Sequence, residues 1–121
     1  MKTILLCEDS KVLSELLYET LKAHGYQVLT ADNGYDALAK ARNDHPDLIL
    51  LDLMLPKIDG LKICRMLKFD KEYSHIPIII LTARSQPVEE EIGYSTGANF
   101  YLTKPFDGNE LTAKVKELLK V

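Results

Sequence analysis

Leu48-Ile49-Leu50-Leu51-Asp52 decides how the chain folds: four branched aliphatic side chains in unbroken succession, closed by a carboxylate. A strand with one face in water alternates apolar and polar residues. An unbroken apolar run instead belongs to a strand buried on both faces, as in parallel sheets covered by helices. The same form recurs upstream, where Ile4-Leu5-Leu6-Cys7 runs into Glu8-Asp9, and downstream, where Ile78-Ile79-Ile80-Leu81 runs into Thr82. A further segment, Asn99-Phe100-Tyr101-Leu102-Thr103, leads into Lys104-Pro105. Ligands of an open α/β sheet gather at the carboxyl ends of its strands. Three carboxylates, a hydroxyl and an ammonium are therefore expected on one edge.

Helical patterns separate these runs. Ser10 to His24 carries Val12, Leu13, Leu16, Leu17 and Leu21 as one apolar stripe, with Gly25 just beyond it. Tyr26 to Ala31 reads as a second strand, and Asn33 to Asn43 as a helix capped by Asn33. The third strand, Asp47 to Asp52, enters a loop containing Pro56, and Asp59 caps a helix running to Phe69. Ser85 and Pro87 open a fourth helix that ends near Gly97. The fifth begins at Asp107, with Glu110 completing a capping box and Leu111, Val115, Leu118 and Leu119 turned inward. Strict strand–helix alternation with short connections implies right-handed crossovers and helices on both faces of the sheet. The expectation is a single α/β domain over residues 1–121, doubly wound around a five-stranded parallel sheet.

Composition excludes several classes. A formal net charge of −3 offers no basic field for nucleic acid or a membrane surface. No run approaches the roughly 20 apolar residues needed to span a bilayer, and Met1-Lys2-Thr3 leads straight into a strand, so no leader is expected. Cys7 in a strand and Cys64 in a helix lack the spacing of a zinc or redox pair and read as core thiols of a cytoplasmic protein. His24, His45 and His75 have neither ligand spacing nor neighbouring acids and receive no role. Glu89-Glu90-Glu91 reads as a solvated first helical turn, favourable to the helix dipole, that also sets the charge preference of a partner.

The expected edge has a definite chemistry. Glu8, Asp9 and Asp52 brought together repel, and each raises the others' pKa unless a cation joins them. Oxygen-only ligands without His or Cys suit a hard ion, and Mg2+ is the physiological choice where phosphate is handled. An ionised Asp is a competent nucleophile toward phosphorus and yields an acyl phosphate. Lys104 can neutralise one phosphoryl oxygen and Thr82 can donate a hydrogen bond to another.

With these residues in order, the chain resembles the CheY-like receiver domain of two-component response regulators. The resemblance covers essentially all of the chain. It rests on Glu8-Asp9, on Asp52 with Pro56 and Gly60 after it, on Thr82-Ala83, and on Lys104-Pro105-Phe106. It implies a flavodoxin-like (βα)5 fold of three layers with strand order 2-1-3-4-5. It further implies that Asp52 accepts a phosphoryl group from a phosphohistidine on a sensor histidine kinase or histidine phosphotransfer protein. Asp9, Asp52 and the backbone carbonyl of Met54 would then bind Mg2+ directly, and Glu8 through water. Lys104 would contact the phosphoryl group and precede a cis Lys104-Pro105 bond. Thr82 would shift toward that group, and Tyr101 would turn inward into the vacated space. The output face, made by the fourth helix, fifth strand and fifth helix, would then change its fit to a downstream protein partner. The resemblance thus implies a self-phosphorylating switch that converts no external substrate.

Departures from the family pattern carry expectations of their own. Many receivers attached to winged-helix DNA-binding domains have two acids where this chain has Asn99 and Phe100, so pairing of that type lacks its acidic contribution. Met54 and Arg84 occupy the positions that influence phosphoryl lifetime, and neither helps place an attacking water. A relatively long-lived phosphoryl group, partly covered by both side chains, is expected. Flavin- or dinucleotide-binding proteins share the fold class but need a Gly- or hydroxyl-rich loop after the first strand. Cys7-Glu8-Asp9-Ser10-Lys11 stands there instead. An aspartyl phosphatase needs a second acid where Met54 stands, and the full Glu, Asp, Thr and Lys set argues against an inert scaffold.

Overall fold

The structure is a computed structural model and describes residues 1–83 and 97–120. Five strands, β1 (Thr3–Cys7), β2 (Gln27–Ala31), β3 (Leu48–Asp52), β4 (Ile78–Ala83) and β5 (Phe100–Lys104), pair in parallel in the order β2-β1-β3-β4-β5. Four helices are described: α1 (Lys11–Ala23), α2 (Gly34–Asp44), α3 (Gly60–Lys68) and α4 (Gly108–Leu119). The helix expected from Ser85 to Gly97, with Pro87 and Glu89-Glu90-Glu91, falls on positions 84–96 and so lies outside the described residues but for Gly97. Arg84 lies outside them too. No described helix is long and apolar enough to cross a membrane.

The unbroken runs are explained by two cores, one on each face of the sheet. Leu5, Cys7, Ile49, Leu51, Ile78 and Ile80 pack with Leu38 of α2 and Ile63 and Leu67 of α3. Ile4, Leu6, Leu48, Leu50, Ile79 and Leu81 pack on the opposite face with Leu17 and Leu21 of α1 and Leu111 and Val115 of α4. Successive side chains of a strand point to opposite faces, so from Ile4, Leu48 and Ile78 onward every position of β1, β3 and β4 is apolar until the site begins. β3 is buried along its whole length.

Helix starts follow the side chains available to hold free N–H groups. Asn33 Oδ1 accepts from Asp36 N at 2.9 Å and Asp59 Oδ1 from Leu61 N at 2.8 Å. Ser10, rather than Asp9, caps α1 and accepts from Leu13 N at 3.4 Å. Two expectations need correction. Asp107 Oδ1 bonds Asn109 N at 2.8 Å, one residue short of the capping-box position at Glu110. Val12 and Leu16, read as part of the buried stripe of α1, stand 80% and 62% exposed. Leu13, Leu17 and Leu21 take the sheet-facing line, and Val12 and Leu16 each sit one residue, about 100° of helix, off it.

Cys7 and Cys64 are both fully buried, and neither is in a disulfide. Burial, reinforced by the charge of Asp36, pushes the Cys7 thiol far above its ordinary value despite Lys40. The thiolate is the reactive form, so the native chain is expected to give no thiol titre with an aromatic disulfide reagent at mildly alkaline pH. In denaturant both thiols should titrate. Rapid native labelling would contradict the buried placement.

Lys68 is a tie that no sequence pattern announced. Its Nζ donates to the carbonyls of Ser74 at 2.9 Å and Ile76 at 3.0 Å and to Asn99 Oδ1 at 2.9 Å. Asn99 Oδ1 also accepts from Ile78 N at 3.0 Å. The end of α3 and the starts of β4 and β5 are thereby joined through one ammonium, whose pKa burial lowers. Asn99, where related patterns carry an acid, works here as a neutral acceptor inside the fold.

Candidate functional site

The register brings the strand ends together. Cys7 of β1 pairs with Leu51, Asp52 of β3 with Leu81, and Ala83 of β4 with Lys104. Glu8 follows β1 directly, and its position continues the face of Ile4 and Leu6. Asp52 continues that of Leu48 and Leu50, and Lys104 that of Phe100 and Leu102, all in the core under α1 and α4. The two acids and the ammonium thus reach the same side of the sheet by period-two alternation. Thr82 and Tyr101 have the opposite parity. Thr82 is buried, and Tyr101 is half-buried against the core under α2 and α3.

Glu8 and Asp52 are only 2% and 3% exposed, whereas Asp9 is open to solvent. Lys104 Nζ lies 2.9 Å from Glu8 Oε1 and 3.4 Å from Asp52 Oδ2. The backbone adds two donors: Ser10 N–H bonds Glu8 Oε2 at 3.0 Å and Met54 N–H bonds Asp52 Oδ1 at 3.0 Å. Burial pushes the Glu8 carboxyl up, opposed by the Lys104 and Ser10 hydrogen bonds and reinforced by the charge of Asp52. Burial alone would lower the Lys104 ammonium, but Glu8 and Asp52 outweigh it and raise its pKa. Lys104-Pro105 is cis, as expected from the resemblance.

Among the described residues, one ammonium faces three carboxylates here. Ligand oxygens of Glu8, Asp9 and Asp52 all lie within 4.8 Å of one another. The uncompensated charge, the oxygen-only donors and the solvent access through Asp9 fit a hard divalent cation. Gly60 frames the opposite side: a Cβ there would come within 2.5 Å of the Asp52 carbonyl oxygen, so the start of α3 can press on the Asp52 backbone only as glycine. Of the two side chains expected to cover Asp52 in part, Met54 is exposed, and Arg84 lies outside the described residues. Beside Lys104, the exposed Leu16 with Leu13, Leu17, Pro105 and Phe106 lines an apolar groove.

The family model for the response regulator receiver domain matches residues 4–116. The chain belongs to that family. This receiver is 42% identical over 119 residues to the alkaline phosphatase synthesis transcriptional regulatory protein PhoP of Bacillus subtilis (strain 168), covering 98% of this chain and 49% of PhoP. It thus spans about half the length of such relatives. Its fold matches the chemotaxis response regulator CheY4 of Vibrio cholerae with a TM-score of 0.89 at 30% identity, covering 98% of each chain. The receiver domain of the sensor histidine kinase PA1611 from Pseudomonas aeruginosa PAO1 matches with a TM-score of 0.90 at 32% identity, over 99% of this chain and 98% of that one. That structure holds a magnesium ion in its active site cleft. The flavodoxin-like fold with order 2-1-3-4-5 and the two-component receiver assignment stand on these findings together with the sheet order.

Proposed function

We propose that this receiver takes a phosphoryl group onto Asp52 from a phosphohistidine of a sensor histidine kinase or histidine phosphotransfer protein. The observation that carries the reading is a buried Asp52 held by Lys104 and the Met54 N–H within a three-carboxylate cluster. An Asp52 oxygen attacks phosphorus, the bond to the donor nitrogen breaks, and the imidazole leaves with a proton. Asp9, Asp52 and the Met54 carbonyl, with Glu8 through water, would hold Mg2+, which supplies positive charge against the incoming phosphoryl oxygens. Lys104 stands ready to leave Asp52 for one phosphoryl oxygen, and Thr82 donates to another. Thr82 and Tyr101 share one face of the sheet, so a shift of the first frees space for the second. Their movement remodels the face of β5, α4 and the helix expected before β5, and a downstream protein contact, within a longer chain or with another molecule, reads it.

No external metabolite is turned over, and the site of action is cytoplasmic. The net charge of −3 supports a protein rather than a nucleic acid as the direct partner of this domain; PhoP, a transcriptional regulatory protein, is a relative whose further half lies beyond the match. The apolar groove that ends on Lys104 offers the donor protein a seat next to its target. Leu16→Asp is therefore expected to slow transfer from a phosphohistidine protein about tenfold while the rate with acetyl phosphate stays unchanged. Equal slowing of both would place Leu16 in the fold and not in docking.

Intact mass after incubation with acetyl phosphate tests the central reading. A gain of one phosphoryl group that disappears on chelation of Mg2+, and that borohydride reduction maps to Asp52, supports it. A folded chain that gains nothing even from a phosphohistidine donor sinks it.

A further inference from the structure

The outer side of α3 differs from the rest of this acidic surface. α3 buries Ile63, Cys64 and Leu67 and leaves Lys62, Arg65, Met66 and Phe69 outward, the i, i+3, i+4 and i+7 positions of a single stripe. Phe69 is 70% exposed, and Tyr35 of α2, 65% exposed, continues the apolar row through a depression that shares Lys62 and Met66 with the one beneath Phe69. Neither cation–π contact, Lys22 over Tyr18 or Lys114 over Phe100, involves Phe69.

The charges flanking this row are unbalanced. Among the described residues no ion pair reaches Lys62, Arg65 or Lys71. Asp59 and Asp70 line the same depressions, each with one oxygen held by backbone, Asp59 Oδ1 by Leu61 N at 2.8 Å and Asp70 Oδ1 by Glu72 N at 3.0 Å, and are outnumbered there by Lys57, Lys62, Arg65 and Lys71. A cationic, apolar-centred strip thus stands on a chain of net charge −3. It is made by α2, α3 and the turn between β3 and α3, none of which belongs to the output face or the donor groove described above.

We propose that this strip docks an acidic amphipathic helical segment of a partner protein. Apolar residues of the segment lie along Tyr35, Met66 and Phe69, and its carboxylates face Lys62, Arg65 and Lys71. Helix-in-groove recognition uses anchors at this spacing, and aromatic and Arg side chains are the types that dominate interface energetics. Complementary charge favours an acidic partner. A second copy paired strip to strip about a two-fold axis would set Lys62, Arg65 and Lys71 against the same cations. A single nucleic acid strand would meet the cations with phosphates and stack bases on Tyr35 and Phe69, but the helical i, i+3, i+4, i+7 spacing with Met66 at its centre favours the peptide helix.

The test uses the full chain, nitrogen-labelled for amide spectra. Its probes are a helical Glu/Leu peptide with leucines at i, i+3, i+4 and i+7, the same composition scrambled, and an oligothymidylate of equal charge. Expected are shifts confined to α3, Tyr35 and the turn from Lys57 to Gly60, with the patterned peptide binding about tenfold tighter than the scrambled one. Phe69→Ser and Arg65→Gln should each weaken it about tenfold, with acetyl phosphate labelling of Asp52 unchanged. Equal binding of both peptides, binding of the oligothymidylate as tight as that of the patterned peptide, shifts driven by protein concentration alone, or no binding would each overturn the proposal.

Discussion

Replacing Asp52 by Asn abolishes phosphoryl uptake by at least about 10³-fold while the chain stays folded. An amide oxygen is no nucleophile toward phosphorus, and nothing else in the cluster can replace it: Glu8 is engaged by Lys104 and Ser10, and Asp9 lies out in solvent. The substitution is nearly isosteric, so the Met54 N–H keeps an acceptor where Asp52 Oδ1 stands at 3.0 Å. Lys104 keeps Glu8 at 2.9 Å. One of three mutually repelling carboxylates is neutralised, so the thermal midpoint should hold or rise. Intact mass after acetyl phosphate with Mg2+, beside a circular dichroism melt, checks both halves. A variant that still gains the phosphoryl group would move the acceptor elsewhere.

Lys104→Met is expected to act on both stability and chemistry. It leaves Glu8, almost wholly buried, without its ammonium partner, a loss worth about 3 kcal/mol at neutral pH. The pH dependence follows from the direction of the Glu8 shift. Its folded carboxyl lies above the ordinary value, so between the two pKa values the native state holds a proton that the unfolded chain has released. Stability therefore falls as pH rises through that window. Lys104 is the larger restraint on this rise. Removing it extends the window upward, so the variant loses most at neutral pH and least in acid, where Glu8 is protonated. Urea unfolding at two pH values should show the gap to wild type narrowing on acidification; an equal gap at both counts against the Glu8–Lys104 pair as the cause. The variant also lacks the cation that meets a phosphoryl oxygen, so labelling by acetyl phosphate should slow even where it remains folded.

Much of this was legible because the sheet is buried twice over. Runs such as Ile78-Ile79-Ile80-Leu81 admit no amphipathic alternative, and the residues that end them mark the carboxyl edge by position alone. Period-two alternation sends Glu8 and Asp9 to opposite faces, but with both faces of β1 covered it does not say which of them is buried. What stayed hidden depends on rotation and reach. Helix periodicity gives an apolar arc but not its orientation on the sheet, so Val12 and Leu16 read as core. Lys104 could be placed near Asp52, but its shorter contact is with Glu8, ninety-six positions away in sequence. Lys68 reads as an ordinary surface cation until the fold supplies three carbonyl-type acceptors around it.

The place of β3 in the middle of the sheet has a consequence for how the protein breathes. Paired on both sides and buried at every residue, it should exchange its amide hydrogens only when the whole domain opens. β5, at the border with one paired neighbour and a half-buried face, can open by itself at far lower cost. Asp52 thus sits on the anvil, and Tyr101 and Lys104 on the hinge. If Asp52 takes the proposed phosphoryl group, isotope exchange across β5 should be where its arrival is first felt.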